Sequence, residues 1–147
     1  MSWKYRNKKT SSGKTIRSKK IERLDNIFSR FIRRRDCGYK VGICISCGAL
    51  ITFETCDCGH YINRQHMSLR YDEQNCNAQC RDCNRNDEGN VQGYRRGLII
   101  KIGEKATDML EIKKHNICKM TEAELDILYA HYSEKLKKIE QNCIFLP

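Results

Sequence analysis

The most informative part of the sequence is Cys44-Ile45-Ser46-Cys47-Gly48, which is followed after residues 49–79 by Cys80-Arg81-Asp82-Cys83. We call these two motifs the first and the second knuckle. In each knuckle two residues separate the cysteines, a spacing that lets both thiolates reach one metal ion. The interval between the knuckles is longer than in a usual zinc ribbon, which indicates an inserted segment. The pattern therefore predicts a structural zinc ion in a tetrahedral shell of thiolates from Cys44, Cys47, Cys80 and Cys83.

The number of cysteines also favours metal binding over disulfides. The chain has 147 residues and ten cysteines, and its basic first twenty residues lack a following apolar stretch, so we expect no secretory signal and a cytoplasmic protein. No apolar run approaches the ~18 residues of a membrane span, which excludes an integral membrane protein. We expect the six cysteines outside the knuckles to be small buried side chains: Cys37, Cys56, Cys58, Cys76, Cys118 and Cys143. Cys56 and Cys58 lie beside His60 and could instead join or compete for a metal.

Positive charge is concentrated at the N-terminus. The formal net charge is +10; residues 1–35 hold 13 Lys and Arg against 2 acids, whereas residues 36–147 hold 15 against 16. Residues 1–17 are polar, and we predict a disordered basic arm there, ahead of a single domain over residues 18–147. Such a segment is typical of proteins that bind nucleic acid, because each neutralised phosphate releases a counterion. A tail that only aids solubility and an arm for an anionic membrane surface are the alternatives.

The first predicted helix begins at about Ser18. Its apolar residues recur at spacings of three and four, the pattern of an amphipathic helix: Ile21, Leu24, Ile27, Phe28, Phe31 and Ile32. We expect this stripe to pack on the domain. Arg33, Arg34 and Arg35 belong to the polar face and could form an edge that faces DNA.

Short β-prone stretches over residues 39–63 predict a β-hairpin formed by Gly42–Ile45 and Ala49–Phe53. Helical patterns return later in the chain. They predict a short helix from Arg81 to Asp87 and further helices over residues 91–102, about 104–114 and beyond Thr121. Thr121 and Glu124 match a capping box, in which a hydroxyl and a carboxylate satisfy free N–H groups of the first turn.

The inserted segment contains a second pattern. His60 is followed by Asn75, five residues before the second knuckle, and by Asn84 directly after it. This order resembles that of the HNH nucleases, which use a ββα-metal, treble-clef-like site. More closely, the chain resembles the NinG/Rap recombination endonucleases of lambda-like phages over about residues 20–140. The stretches that carry the resemblance are Arg33–Asp36, Cys44–Gly48, Gly59–Ile62, Arg70–Asn75, Gln79–Asn84, Gly89–Asn90, Tyr94–Leu98 and Ile102–Gly103.

The resemblance implies a role for each residue of this triplet. His60 is the general base that activates water against a phosphodiester, and a neutral imidazole suits that task near pH 7. Asn75 orients the site through side-chain hydrogen bonds. Asn84 helps to hold a catalytic Mg²⁺ or Mn²⁺ ion, which stabilises charge on the phosphate and the leaving oxygen.

One position departs from the family pattern. HNH sites commonly have Asp or His as a metal ligand directly before the histidine, where this chain has Gly59. The candidates for the second hard ligand are Asp57, His66 and Asp72; otherwise His60 is itself a ligand and not the base. The implied fold is α+β, with a zinc-stapled ββα, HNH-like core and flanking helices.

The implied activity is that of a metal-dependent, structure-selective DNA endonuclease, a phosphodiester hydrolase acting on branched recombination intermediates. We expect contacts with DNA phosphates from Arg33, Arg34, Arg35, Arg64, Arg70 and Arg85. A homodimer is one possible oligomeric state, because symmetric cleavage of a junction would suggest two copies of the chain. We expect no small-molecule ligand. One alternative is a non-catalytic, zinc-bound DNA-binding or recombination-mediator module, which Gly59 favours; another is an RNA-binding zinc protein.

Overall fold

The computed structural model describes residues 13–144, so most of the predicted disordered arm over residues 1–17 lies outside the described residues. Residues 13–17, the end of that arm, are described. The prediction of disorder was wrong for the last two of them, because helix α1 (Ile16–Cys37) begins there. Thr15 is its N-cap, since its hydroxyl oxygen accepts a hydrogen bond from the N–H of Ser18 at 3.1 Å. This cap explains why the helix starts two residues before the expected position.

The described chain alternates small sheets with helices, and this confirms the α+β class. The strands are β1 (Gly42–Ile43), β2 (Leu50–Ile51), β3 (Cys56–His60) and β4 (Cys76–Cys80), and the later helices are α2 (Val91–Ile102), α3 (Glu104–Lys113) and α4 (Glu122–Ile144). The three later helices agree with the predicted ranges to within one residue where a boundary was predicted. The short helix expected from Arg81 to Asp87 is instead a π-helical turn, Asp82–Asn86. No helix within residues 13–144 has both the length and the apolar character needed to cross a bilayer.

The sheets differ from the single predicted hairpin. β1 and β2 do pair antiparallel, with Gly42 opposite Ile51, but each strand has only two residues. β3 pairs antiparallel with β4, the strand that ends in the second knuckle, and the long connection between them is residues 61–75. β4 was not predicted because its sequence, Cys-Asn-Ala-Gln-Cys, lacks an apolar alternation; its polar side chains are nevertheless buried.

α1 packs against α4 through the predicted apolar stripe. The buried residues of this cluster include Leu24, Phe28, Phe31 and Ile32 of α1 and Leu125, Tyr132 and Leu136 of α4. The rings of Phe28 and Tyr132 meet edge to face, with centroids 4.7 Å apart. The predicted capping box is confirmed: the Glu124 carboxylate accepts from the N–H of Thr121, and the Thr121 hydroxyl accepts from the N–H of Glu124 at 3.2 Å.

Two smaller clusters support the rest of the molecule. One contains the buried residues Cys37, Cys44, Ile51, Cys56, Ala78 and Cys83, around the knuckles. The other places α2 and α3 against the connection between β3 and β4, with Tyr61, Leu69, Tyr94, Leu98 and Leu110 buried. Among the other cysteines, Cys58 and Cys118 are half-buried rather than buried, and the side chain of Cys143 lies outside the described part of the chain.

Candidate functional site

The two knuckles meet as the sequence predicted. The sulfur atoms of Cys44, Cys47, Cys80 and Cys83, which we call the four-cysteine cluster, all lie within 4.8 Å of one another. Gly48 closes the turn of the first knuckle: its φ of +76° is a conformation that favours glycine, and its N–H donates to the carbonyl of Cys44 at 3.0 Å. In the second knuckle, β4 ends at Cys80 and Cys83 lies in the π-helical turn.

N–H groups surround the sulfur atoms of this cluster. The N–H of Cys80 donates to Cys44 Sγ at 3.3 Å, and the side-chain amide of Asn90 donates to Cys83 Sγ at 3.3 Å. Burial opposes ionisation of Cys44, but hydrogen bonds from backbone N–H groups outweigh it and lower the pKa of the thiol to about 7. Burial raises the pKa of the Cys80 and Cys83 thiols, so the hydrogen bonds favour the thiolate form at Cys44 but not at those two residues. Four sulfur donors at this spacing fit a structural metal ion of the zinc class.

His60 lies at the end of β3 with one ring nitrogen already engaged. Its Nε2 is 3.1 Å from the carbonyl oxygen of Arg70, and a carbonyl can only accept. Nε2 therefore carries the proton of the neutral ring, which leaves the lone pair on Nδ1. Burial lowers the pKa of His60 and the charges of Arg64 and Arg70 add to this, while the hydrogen bond to Arg70 and the charge of Asp25 oppose it. The imidazole is thus neutral near pH 7.

Asn75 is fully buried and binds the backbone next to His60. Its amide nitrogen donates to the carbonyls of Ile62 at 2.9 Å and Leu69 at 3.1 Å, and its amide oxygen accepts from the N–H of Ile62 at 2.8 Å. These bonds tie the connection after β3 to the start of β4. They are the contacts of a residue that positions its neighbours.

Asn84 contacts Asp57, one of the three candidates for a second hard metal ligand. The Asn84 amide donates to Asp57 Oδ2 at 2.9 Å, and Arg85 donates to both carboxylate oxygens at 2.7 Å. Burial raises the pKa of Asp57, but the hydrogen bonds from Arg85 and Asn84 outweigh it, so the pKa lies below its usual value. The carboxylate is therefore ionised and already has a cationic partner.

The other two candidates are engaged elsewhere. One ring nitrogen of His66 is 3.1 Å from the carbonyl oxygen of Lys114. Asp72 accepts from the N–H of Gln74 at 2.8 Å and lies 3.5 Å from the ammonium of Lys113. Of the three candidate ligands, Asp57 is the one that is hydrogen-bonded to Asn84. Its carboxylate therefore lies next to a second side chain that carries an oxygen atom.

His60 and Asn84 line the same cavity, which has a volume of about 460 Å³ and which we call the His60 cavity. Arg64, Asn63 and Glu88 also line it. The structure therefore brings together two members of the predicted triplet, while Asn75 acts on the backbone behind them.

Gly59 has no room for a side chain. A Cβ at this position would lie 2.3 Å from Gln79 Oε1 and 3.0 Å from Gln79 Cβ. Gln79 is buried, and its amide nitrogen donates to Ser46 Oγ at 2.8 Å and to the carbonyl of Gly89 at 2.6 Å. The missing acidic or histidine ligand is thus explained by packing against Gln79, a residue that the sequence did not single out because a glutamine in a polar run carries no signal.

The predicted phosphate-binding arginines fall into three groups. Arg35 and Arg70 are largely buried and donate to protein acceptors, which include Asp36 and Asp25 respectively. Arg33 and Arg34 donate to backbone carbonyls and their guanidinium groups lie over the ring of Phe53. The exposed members are Arg64, at the His60 cavity, and Arg85, whose side chain is 58% exposed.

A second group of possible metal ligands lies on the β3–β4 hairpin. One ligand atom from each of Cys58, His60 and Cys76 falls within 4.8 Å of the others. The sequence raised Cys58 as a possible competitor for a metal, but it did not indicate that Cys76 joins it, because the pairing of β3 with β4 was not predicted.

Comparison with known proteins gives a consistent result. The family described as Bacteriophage Lambda NinG protein matches residues 2–142. The chain is 38% identical over 127 residues to Protein ninG of Escherichia phage 933W, which covers 86% of this chain and 61% of that protein. It is 37% identical over 127 residues to Protein ninG of Escherichia phage lambda, covering 86% of this chain and 60% of that one. The chain thus spans about three fifths of the length of these relatives. No solved structure matches it.

Proposed function

The chain belongs to the NinG family of bacteriophage proteins, and from that premise we propose that it is a metal-dependent endonuclease that cleaves branched DNA during recombination. The observation that carries the proposal is the His60 cavity, where a neutral imidazole and the amide of Asn84 line one space. The β3–β4 hairpin followed by the turn Asp82–Asn86 has the order of a ββα-metal site, and the four-cysteine cluster would staple it with zinc.

His60 is the general base of the proposed reaction. Nδ1 takes a proton from water, the water oxygen bonds to phosphorus, and the bond from phosphorus to the leaving oxygen breaks. The hydrogen bond from Nε2 to the carbonyl of Arg70 holds the ring in the tautomer that this step needs. Asn75 acts as a positioning residue, because it fixes the backbone of Ile62 and Leu69 on either side of the connection.

Asp57 and Asn84 would hold a hard divalent ion of the Mg²⁺ or Mn²⁺ class through a carboxylate and an amide oxygen, once the Asn84 amide, whose nitrogen now donates to Asp57, turns its oxygen toward the ion. The Asp57 carboxylate already binds a cation, the guanidinium of Arg85, and that side chain is exposed enough to swing away. When bound, the ion supplies positive charge that stabilises the phosphate and the leaving oxygen. Arg85 is then released to contact a neighbouring phosphate.

The positive charge of the chain supports a nucleic-acid substrate that is recognised by its shape rather than by its base sequence. The net charge is +10, and the excess lies in residues 1–35. Phosphate contacts fix position without reading bases, which suits an enzyme that selects branched structures rather than sequences. Arg64 lines the His60 cavity, and in the proposed reaction it contacts the phosphate next to the cleaved bond.

A cleavage assay tests the proposal. Labelled four-way junction, flap and linear duplex DNA are incubated with the full chain in Mg²⁺, Mn²⁺ or EDTA. We expect cleavage that needs the ion and favours branched DNA, and a loss of about 10²–10⁴-fold in His60→Ala with binding retained. The matched control is His115→Ala, which removes an exposed histidine near the end of α3 and should cleave like the wild type.

The second candidate function is a non-catalytic DNA-binding module that acts as a recombination mediator. The observation that favours it is the occupied carboxylate of Asp57, together with the lack of a side chain at Gly59. Tight binding of branched DNA with no cleavage in either ion, by protein that retains its zinc, would overturn the nuclease proposal in favour of this one.

A further inference from the structure

We propose that Cys58, His60 and Cys76 form a second, zinc-class metal site, distinct from the four-cysteine cluster, and that metal bound there withdraws His60 from catalysis. The binding part of this proposal stands by itself on the geometry. The inhibitory part rests on the proposed function of His60 as the base. We call these three residues the hairpin cluster.

Sheet geometry explains why the three side chains meet. Cys58 and His60 are two residues apart on β3 and therefore point to the same face of the hairpin. Cys76 is the cross-strand partner of His60 in the antiparallel register, and directly opposed side chains are neighbours. A paired hairpin holds all three ligand atoms within 4.8 Å without any contribution from a flexible loop.

The donor set favours a soft or borderline ion. Two thiols and one imidazole are ligands that Zn²⁺ takes readily, whereas Mg²⁺ prefers oxygen ligands. The hairpin cluster and the pair Asp57 and Asn84 thus differ in chemistry, and each would select its own class of ion. Three protein ligands with one open position are also a known coordination pattern for zinc.

The surroundings of the hairpin cluster are those of a metal site. A histidine that binds a metal usually donates its other ring N–H to a carbonyl or carboxylate, and His60 Nε2 lies 3.1 Å from the carbonyl of Arg70. The same carbonyl is 3.6 Å from Cys76 Sγ, and the side-chain amide of Asn75 is 4.0 Å from that sulfur. The Asn75 amide would support a Cys76 thiolate, whereas the proton that the Cys76 thiol now donates to the carbonyl would leave on metal binding, because the thiolate is the ligand.

A small cavity opens onto the hairpin cluster and gives access to it. It has a volume of about 90 Å³ and is lined by Asp25, Phe28, Ser29, Cys58, His60 and Arg64. This volume exceeds the space that one water molecule needs, so a water can complete the coordination of an ion there. The hairpin cluster is therefore reachable from the side of α1.

Binding of a metal and action as a base are mutually exclusive for His60. Nε2 is engaged by Arg70, so Nδ1 is the nitrogen that can act in either role, and one lone pair cannot serve both. Zinc at the hairpin cluster would leave the four-cysteine cluster and the fold unchanged while stopping proton transfer. Zinc in excess is then an inhibitor that acts through cysteines outside the knuckles.

A cobalt titration tests the binding part. Full-length protein with its four-cysteine cluster filled with zinc is titrated with Co²⁺, and thiolate-to-cobalt absorption is followed in the near ultraviolet. We expect the wild type to take up about one further equivalent with this absorption. Cys58→Ala should weaken that uptake by more than the about 100-fold that loss of an outer-shell partner costs.

Two further variants complete the binding test. Cys118→Ala removes a half-buried cysteine outside both clusters and should bind the further equivalent as the wild type does. Cys76→Ala should lose it, and retention of the first equivalent shows that the variant is folded. Absence of a further equivalent in the wild type, or its full retention in Cys58→Ala, overturns the proposal.

The inhibitory part is tested by a ratio of rates. Cleavage of branched DNA in Mg²⁺ is measured with and without added Zn²⁺ for the wild type and Cys58→Ala. We expect the ratio to fall in the wild type and to stay near one in the variant. Equal inhibition of both proteins refutes the inhibitory part. Because metal uptake is read by absorption, a failure of the nuclease proposal leaves the binding result intact.

Discussion

The α1–α4 half of the molecule and the knuckle half are held together by different kinds of side chain. Between α1 and α4 the buried set is made of large apolar and aromatic residues such as Leu24, Phe28 and Tyr132. Around the knuckles, four of the six buried residues of the cluster are cysteines, and Ile51 is the one large aliphatic side chain among them.

Buried polar side chains deepen the contrast. Asn75, Asn77 and Gln79 are all fully or almost fully buried on or next to β4. Each must keep its hydrogen bonds, because a buried polar group without a partner costs about 1–3 kcal/mol. Apolar burial alone can stabilise the first half, whereas the knuckle half depends on thiol ligands and on a complete hydrogen-bond network.

The largest predicted effect is the unfolding of the knuckle half, while the α1–α4 half stays folded. Cys83→Ser, or a strong chelator, should remove about one equivalent of zinc and with it an apparent stabilisation on the order of 10 kcal/mol. Hydrogen exchange should then rise across β3 and β4 while α1 and α4 keep most of their protection. Cys118→Ser is the matched control and should keep the zinc. Equal loss of protection in both halves would show that they unfold as one unit.

The converse change acts on the apolar half. Leu24 lies on α1 and is fully buried in the cluster that α1 forms with α4. Leu24→Ala should therefore lower the free energy of unfolding by about 2–5 kcal/mol, because apolar contacts are lost and a cavity remains. Its zinc content should stay that of the wild type, as measured by metal analysis. Leu50→Ala, at a side chain that is 76% exposed, should change stability by less than about 0.5 kcal/mol. Loss of zinc in Leu24→Ala would erase the distinction between the halves.

Asp36 links the two halves and gives a dependence on pH. Its carboxylate accepts from Arg35 at 2.7 Å and from the N–H of Ala78 at 2.8 Å, which joins the end of α1 to β4. Burial opposes its ionisation, but Arg35, that N–H and Lys101 together lower the pKa of Asp36. Asp36→Asn should cost about 1.5–3 kcal/mol at pH 7.

Measuring stability over a range of pH tests the direction in which Asp36 stabilises the fold. A lowered pKa in the folded state stabilises the fold above the unfolded pKa of about 3.9, and the contribution is lost as the pH falls through the folded value. The difference in thermal stability between wild type and Asp36→Asn should therefore shrink below about pH 4. A difference that stays constant down to pH 3 would contradict this account.

The smallest effect concerns the crowding at Gly59. Gly59→Ala should cost about 1–3 kcal/mol, because the new Cβ meets the side chain of Gln79. Thermal melts of the single variants and of the double variant Gly59→Ala/Gln79→Ala check this. In the Gln79→Ala background the cost of Gly59→Ala should fall, since the obstructing atoms are gone. Strictly additive costs would contradict the packing explanation.

The sequence predicted the parts of the molecule whose signal is local or compositional. Periodic apolar residues located α1, the box at Thr121 and Glu124 located the start of α4, and paired cysteine spacings located the four-cysteine cluster. It missed β4 and extended the first hairpin too far, because strand pairing of a polar segment depends on partners distant in the chain.

For the candidate site, the sequence by itself determined which residue types are present: His60, Asn75 and Asn84, with a glycine where a metal ligand is common. Only the tertiary structure decided what those side chains do. The pairing of β3 with β4 brings Cys76 to His60, the turn after Cys80 brings Asn84 to Asp57, and Gln79 fills the space at Gly59. The physical reason is that periodicity, capping and ligand spacing are short-range properties of a chain, whereas strand register and the packing of buried polar groups are set by contacts across it.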